Sequence, residues 1–260
     1  MYNNYELIKK PLVPEFWRAP TDNDFGTKMP SRNKIWKEAY GKSTLLSLKS
    51  TKVQASKIEI KAIHLLPTIN GKIEMTYIIY SEGQIDINYE FSADKKDLPE
   101  IPRIGMSFQL PKEFDNLKYY GRGPWENYVD RNTASFVGLY KSTVADQYFA
   151  YSRPQENGHK SDVRWLSLTN HSGLGLKIRA NSETIGFNAL HYATSDFDPG
   201  DEKQLRTPSD IKEGDFVELH IDHKMMGVAG DNSWGAKPHE QYIYYANKKY
   251  NYSFSLIPLN

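Results

Sequence analysis

Apolar and polar residues alternate with period two along much of the chain. Ile58, Ile60 and Ala62 are interleaved with Glu59 and Lys61, and Ile73, Met75, Tyr77 and Ile79 repeat the pattern. Ser81-Glu82-Gly83 reads as a turn, and Ile85, Ile87, Tyr89 and Phe91 alternate after it, which predicts a β-hairpin. The same period runs through residues 104–110, 174–178, 217–221 and 250–256. Successive strand side chains point to opposite faces, so each run offers one apolar face to a core. At least seven such strands, joined by Gly, Pro, Asn and Asp turns, predict antiparallel sheets packed face to face. No βαβ rhythm argues for a parallel sheet. One short helix is expected over 30–41, with Ser31 as cap, Ile35, Trp36 and Ala39 facing inward and Gly41 as stop. Before it, Pro11, Pro14 and Pro20 keep the chain extended or looped. No repeat, low-complexity tract or linker divides the sequence, so residues 1–260 read as one all-β domain.

Composition narrows the function classes. Lys plus Arg number 33 and Asp plus Glu 32, a net charge of +1, which argues against a nucleic-acid partner, since displacing counterions from phosphates takes a large positive excess. No apolar run approaches the roughly 18–20 residues that span a bilayer, and the first residues lack the basic start and apolar core of a signal peptide. A soluble protein is expected, cytoplasmic or periplasmic. There are no cysteines, hence no disulfides, thiolate zinc site or Cys nucleophile. Aromatic residues make up 13%, dominated by 18 Tyr, a composition suited to strands and to recognition surfaces.

Three segments are dense in polar and aromatic residues without strand period: residues 16–26, 119–131 and 226–235; a fourth, weaker one spans 154–159. Loops carry function more often than strands. Their chemistry suits a sugar, whose axial C–H patches stack on an indole while its hydroxyls pair with carboxylates and amides. Trp234 beside Asp231 and Asn232, among Gly227, Gly230 and Gly235, has those parts. The bland readings are also concrete. Asp22 and Asp24 suit turn and backbone hydrogen bonding. Arg122 and Arg131 near Glu126 and Asp130 suit ion pairs that pin a long loop. His220, Asp222 and His223 suit the polar end of a strand, and as zinc ligands they would face opposite sides of it. Glycoside hydrolysis needs two carboxyls flanking one bond, but no spacing among the 32 acids selects a pair. No nucleophile elbow, P-loop or dinucleotide fingerprint is present.

Phe16-Trp17-Arg18-Ala19-Pro20-Thr21-Asp22-Asn23-Asp24 resembles the signature near the start of the C-terminal domain of glycoside hydrolase family 2 β-galactosidases. Tyr120-Gly121-Arg122-Gly123-Pro124-Trp125-Glu126-Asn127-Tyr128-Val129-Asp130-Arg131 is similar to the next block, Pro154-Gln155-Glu156-Asn157-Gly158 to a third, and Met226-Gly227-Val228-Ala229-Gly230-Asp231-Asn232-Ser233-Trp234 to the last. The four occur in the family's order and span most of the chain. The resemblance implies a β-supersandwich of the galactose-mutarotase-like type, with at most one or two short helices. It implies a domain that packs against a catalytic (β/α)8 barrel, in one polypeptide or as a separate large subunit, which supplies both catalytic glutamates. Trp234, with Asp231 and Asn232, is then implied to bind the galactoside, and Trp17, Arg18, Asp22, Asn23 and Asp24 to belong to a loop that shapes the pocket. No catalytic residue, metal or cofactor is assigned to this chain, which alone is expected to be inactive.

The family domain begins several strands before the Phe16-Trp17 block, so those strands are expected to be missing here, leaving an apolar face or edge open to self-association. Two other functions are carried beside this one. A mutarotase (aldose 1-epimerase) would use a carboxylate and a His, and Thr169-Asn170-His171-Ser172 superficially resembles its motif. A free-standing carbohydrate-binding module would grip sugar through exposed aromatics.

Overall fold

The computed structural model describes residues 2, 4–232 and 234–260; Ser233, inside the last motif, lies outside the described residues, as do Met1 and Asn3. Among the described residues, fourteen antiparallel strands form two sheets. The smaller has the order β1 (Lys10–Glu15), β6 (Arg103–Pro111), β13 (Phe216–Met225), β12 (Ile185–Leu190), β9 (Lys160–Val163). The larger runs β2 (Thr44–Gln54), β3 (Lys57–Leu66), β4 (Gly71–Tyr80), β5 (Ile85–Ala93), β14 (Tyr250–Leu259), β11 (Gly175–Ala180), β10 (Trp165–Thr169), β7 (Asn116–Gly123), β8 (Phe136–Thr143). The alternation read from the sequence is the cause. Ile104, Met106, Phe108 and Leu110 of β6 and Val217, Leu219 and Ile221 of β13 are buried against Met75, Tyr89, Phe91, Tyr252 and Phe254 of the opposite sheet. The expected hairpin is β4–β5, with Ile79 opposite Ile85 and Gly83 at φ +93° in the turn, a left-handed position that favours glycine.

Three expectations are corrected. The single helix over 30–41 is instead two turns, α2 (Met29–Arg32) and α3 (Lys34–Lys37), and Ser31 caps neither. Asn33 breaks the helix between them, its buried amide donating to the Glu100 carbonyl at 2.6 Å while Arg32 pairs with the Glu100 carboxylate, so tertiary bonds outcompete propagation. Two more helices, α1 (Asp22–Gly26) and α4 (Thr194–Phe197), bring the short helices among the described residues to four rather than one or two. The second motif block, read as lacking strand period, begins inside β7.

The sheets are of unequal width, and contacts show where they overlap. Phe187 of β12 packs on Tyr119 of β7, the Tyr252 hydroxyl of β14 donates to the Ile221 carbonyl of β13 at 3.0 Å, and Phe16, just after β1, packs on Phe91 of β5 at 4.6 Å. The edge strand β1 therefore lies above β5, and β4, β3 and β2 extend past it. Trp36 and Ala39 cover part of this overhang, but Leu45 (49% exposed), Leu48 (63%) and Ile58 (46%) stand in water. Leu48 pairs with Ala62 and Ala62 with Met75, so this apolar surface continues the core-facing side of the sheet. Among the described residues no helix is long and apolar enough to cross a membrane.

Candidate functional site

The four motif blocks, far apart in sequence, are brought together by the fold. Thr21 caps α1: its hydroxyl accepts from the Asp24 amide, and the Asp24 carboxylate accepts from the Thr21 amide at 2.7 Å. Asp24 also receives the Arg18 guanidinium on both oxygens, at 2.5 and 3.1 Å, with both side chains buried. Burial opposes the Arg18 charge, but Asp24 outweighs it and raises the pKa above the ordinary arginine value. Arg18 further donates to the Gly227 carbonyl at 3.2 Å, which ties the first block to the last. Asn23 donates to the Ala236 carbonyl at 3.0 Å, and the backbones of Gly26 and Gly235 touch so closely that a Cβ on either would lie within 2.7 Å of the other. The third block joins through Gln155, which accepts from the Asp22 amide at 3.0 Å, and the second through Glu126, which accepts from the Gly158 amide at 2.7 Å.

This places the residues singled out from the sequence. Trp234 is 86% exposed on the loop so held. The Asn232 side chain accepts from the Trp234 and Ala236 amides at 2.9 and 3.2 Å, so its oxygen shapes the turn. Asp231 faces water and pairs with His239 at 2.7 Å. Asp22 is at the surface between Arg153 and Lys203, both at 2.7 Å; partial burial works against its charge, but these cations outweigh it and hold its pKa below the usual range. Trp17, Arg18 and Asp24 are buried, and the Trp17 indole donates to Asp198 at 2.8 Å. Of these, Arg18 reaches the loop directly and Asp24 holds Arg18 in place. The first and last blocks thus share one surface, with Trp234, Asp231, Asn232 and Asp22 outermost.

Sequence reasoning missed a polar layer under that surface. Arg103, His220, Asp222 and Asn188 project from the outer face of the smaller sheet and are buried by the loops above it. Arg103 reaches His220 at 3.0 Å, Asn188 at 2.8 Å and Asp222 at 3.3 Å, and Asn188 donates to Glu156 at 2.7 Å. His220 and Asp222 are therefore interior groups, not strand-end polarity; His223, at a bulge in β13, stacks on Tyr252. Burial and Arg103 oppose a charge on His220, but Glu15 at 3.3 Å outweighs them and raises its pKa. The only signal in the sequence was a charged residue at alternate positions of otherwise apolar strands. Thr169-Asn170-His171-Ser172 closes the turn from β10 to β11 with His171 exposed.

Lys160, beside the same layer, is buried and donates to the Gly158 carbonyl at 3.1 Å. Burial pushes its pKa down to about 8. A lysine whose folded pKa lies below the unfolded value of 10.5 costs stability in full below pH 8, and the cost fades as pH rises from 8 to 10.5. Lys160→Met should therefore gain up to about 3 kcal/mol at pH 7, at about 1.4 kcal/mol per unit. Urea unfolding of both proteins at pH 7 and 10 checks this; the gain should shrink at the higher pH.

Two unequal antiparallel sheets packed face to face, with a tryptophan exposed on a surface loop, define an all-β sandwich. The chain belongs to the β-galactosidase small chain family, whose model matches residues 1–256. It is 38% identical over 258 residues to a β-galactosidase of Priestia megaterium, 32% over 262 residues to one of Lactobacillus delbrueckii subsp. bulgaricus and 30% over 262 residues to one of Streptococcus thermophilus. Those alignments cover 99–100% of this chain but only 24–25% of the relatives, so it spans about a quarter of their length. Among solved structures it is similar to galactose 1-epimerase of Lactobacillus acidophilus (TM-score 0.45, 7% identity, 81% of this chain and 65% of that one). It is also similar to an α-galactosidase of Geobacillus stearothermophilus (0.43, 9%, 83% and 28%).

Proposed function

We propose that this chain is the non-catalytic part of a β-galactosidase that hydrolyses terminal β-D-galactosides. It packs on a barrel carrying both reactive glutamates and completes the sugar pocket with Trp234. The observation that supports this reading is the Trp234 indole, 86% exposed on a loop tied down by Arg18 and Asn23 of the first motif block. An apolar ring held in water gains free energy only when a sugar face or a partner covers it. The chain alone should release no nitrophenol from nitrophenyl β-D-galactoside, and mixing it with the separately produced remainder of the enzyme should restore release. Hydrolysis by the chain alone would overturn the reading.

The overhang of β2–β4 is proposed as the surface that self-associates when the chain is alone. Leu45, Leu48 and Ile58 continue the core face there beyond the β1 edge. Sedimentation should show a mass that rises with concentration, and Leu45→Lys with Leu48→Lys should return it to a monomer. A strict monomer before substitution would remove the idea.

A further inference from the structure

Asp130 reads in sequence as half of an ion pair with a neighbouring arginine, yet Arg131 pairs with Glu126 and Arg122 with Asp162. The Asp130 carboxylate turns instead to the loop that carries Trp234. Its Oδ2 accepts from two consecutive amides, Val228 and Ala229, both at 2.8 Å. Two adjacent N–H groups converging on one carboxylate oxygen make an anion nest built from backbone, and charge-assisted bonds of this kind are about twice as strong as neutral ones. The fit leaves no spare room. A Cβ on Gly227 would lie 2.8 Å from both Cγ and Oδ2 of Asp130, so glycine there is the condition for the carboxylate to reach the amides. Arg18 on the Gly227 carbonyl and the Gly227 amide on the Tyr242 carbonyl, at 3.0 Å, hold the neighbouring residue. At its far end the loop is held by Asn23 and by the Gly26–Gly235 contact.

We infer that Asp130 is a positioning residue for the Trp234 indole: it sets where the loop leaves the sandwich and never touches sugar. The inference rests on the reading of Trp234 as a rim residue. Its physical content is preorganisation. Gly227, Gly230 and Gly235 make residues 227–235 conformationally permissive, and ordering backbone costs about 1–2 kcal/mol per residue. With the anchor in place that cost is met on folding; without it, each galactoside would meet it on binding, and affinity would fall.

The test separates the anchor from the rim. In the chain by itself, Asp130→Ala should speed hydrogen exchange at the Val228 and Ala229 amides about tenfold or more, while amides of β13 keep their protection and so report an intact fold. Gly227→Ala, which must push the carboxylate aside, should do the same. In the assembled enzyme, Asp130→Ala should raise KM for nitrophenyl β-D-galactoside about tenfold with kcat within about twofold, and added to Trp234→Ala it should raise KM no further. Unchanged exchange at 228 and 229, or an undiminished KM effect of Asp130→Ala in the Trp234→Ala background, would overturn the inference. If Trp234→Ala alone leaves KM untouched while exchange at 228 and 229 rises, the rim reading fails and the inference falls with it, though Asp130 remains the loop's anchor.

Discussion

Arg18→Met is expected to destabilise the fold by about 3–5 kcal/mol, the range for removing one partner of a buried ion pair. The guanidinium is fully buried and bonded to Asp24 twice and to the Gly227 carbonyl once. Methionine fills part of the space but leaves the Asp24 carboxylate charged, buried and short of two donors. Asp24 keeps its bonds to Thr21, so α1 survives as a cap and the loss falls on the junction between α1 and the Trp234 loop. Denaturant unfolding with an unchanged slope and a midpoint lowered accordingly is the expected result. A loss below about 1 kcal/mol, typical of an exposed pair, would show that the pair is solvated. Replacing both residues, Arg18→Met with Asp24→Leu, should recover part of the loss, because the uncompensated charge goes with its partner.

Trp234→Ala should act in the opposite way: large on substrate, negligible on stability. The ring is 86% exposed, so its removal should move the unfolding free energy by less than about 0.5 kcal/mol. In the assembled enzyme the same change should raise KM for lactose about tenfold or more, since truncating an anchoring tryptophan costs roughly 2 kcal/mol and 1.4 kcal/mol is a factor of ten. Unchanged kcat/KM would remove Trp234 from the sugar pocket. The pair of substitutions separates the first block from the last: Arg18 holds the loop, and Trp234 is proposed to meet the ligand.

The strands were legible where one side faced the core and the other faced solvent or polar groups. β7 hid because its inward positions include Gly121 and Gly123; a Cβ at Gly121 would lie 2.6 Å from Val163 of the crossing β9, so small residues stand where an apolar signal was sought. β2 hid because irregularities between Leu45 and Ser47 and between Lys52 and Gln54 break its alternation, and because it is an edge strand open to water along nearly its whole length. The short helices hid because α1 exists through the Thr21–Asp24 cap and α2 and α3 through Asn33 and Glu100, contacts between residues rather than a periodic pattern.

The site divides in the same manner. That residues 16–26, 119–131, 154–159 and 226–235 stand apart from the other strands was visible in sequence, because each concentrates polar and aromatic groups. Period and composition are local, and a strand must show its burial locally to form at all. Which of those residues face water was decided by tertiary structure alone: Arg18 and Asp24 turn inward as a pair, Asp130 turns to two distant amides, and Trp234 is left outside. Asp130 is satisfied by amides 98 and 99 positions away and Arg18 reaches a carbonyl 209 positions away, and such separations leave no trace in spacing because only packing of the sheets brings these segments together.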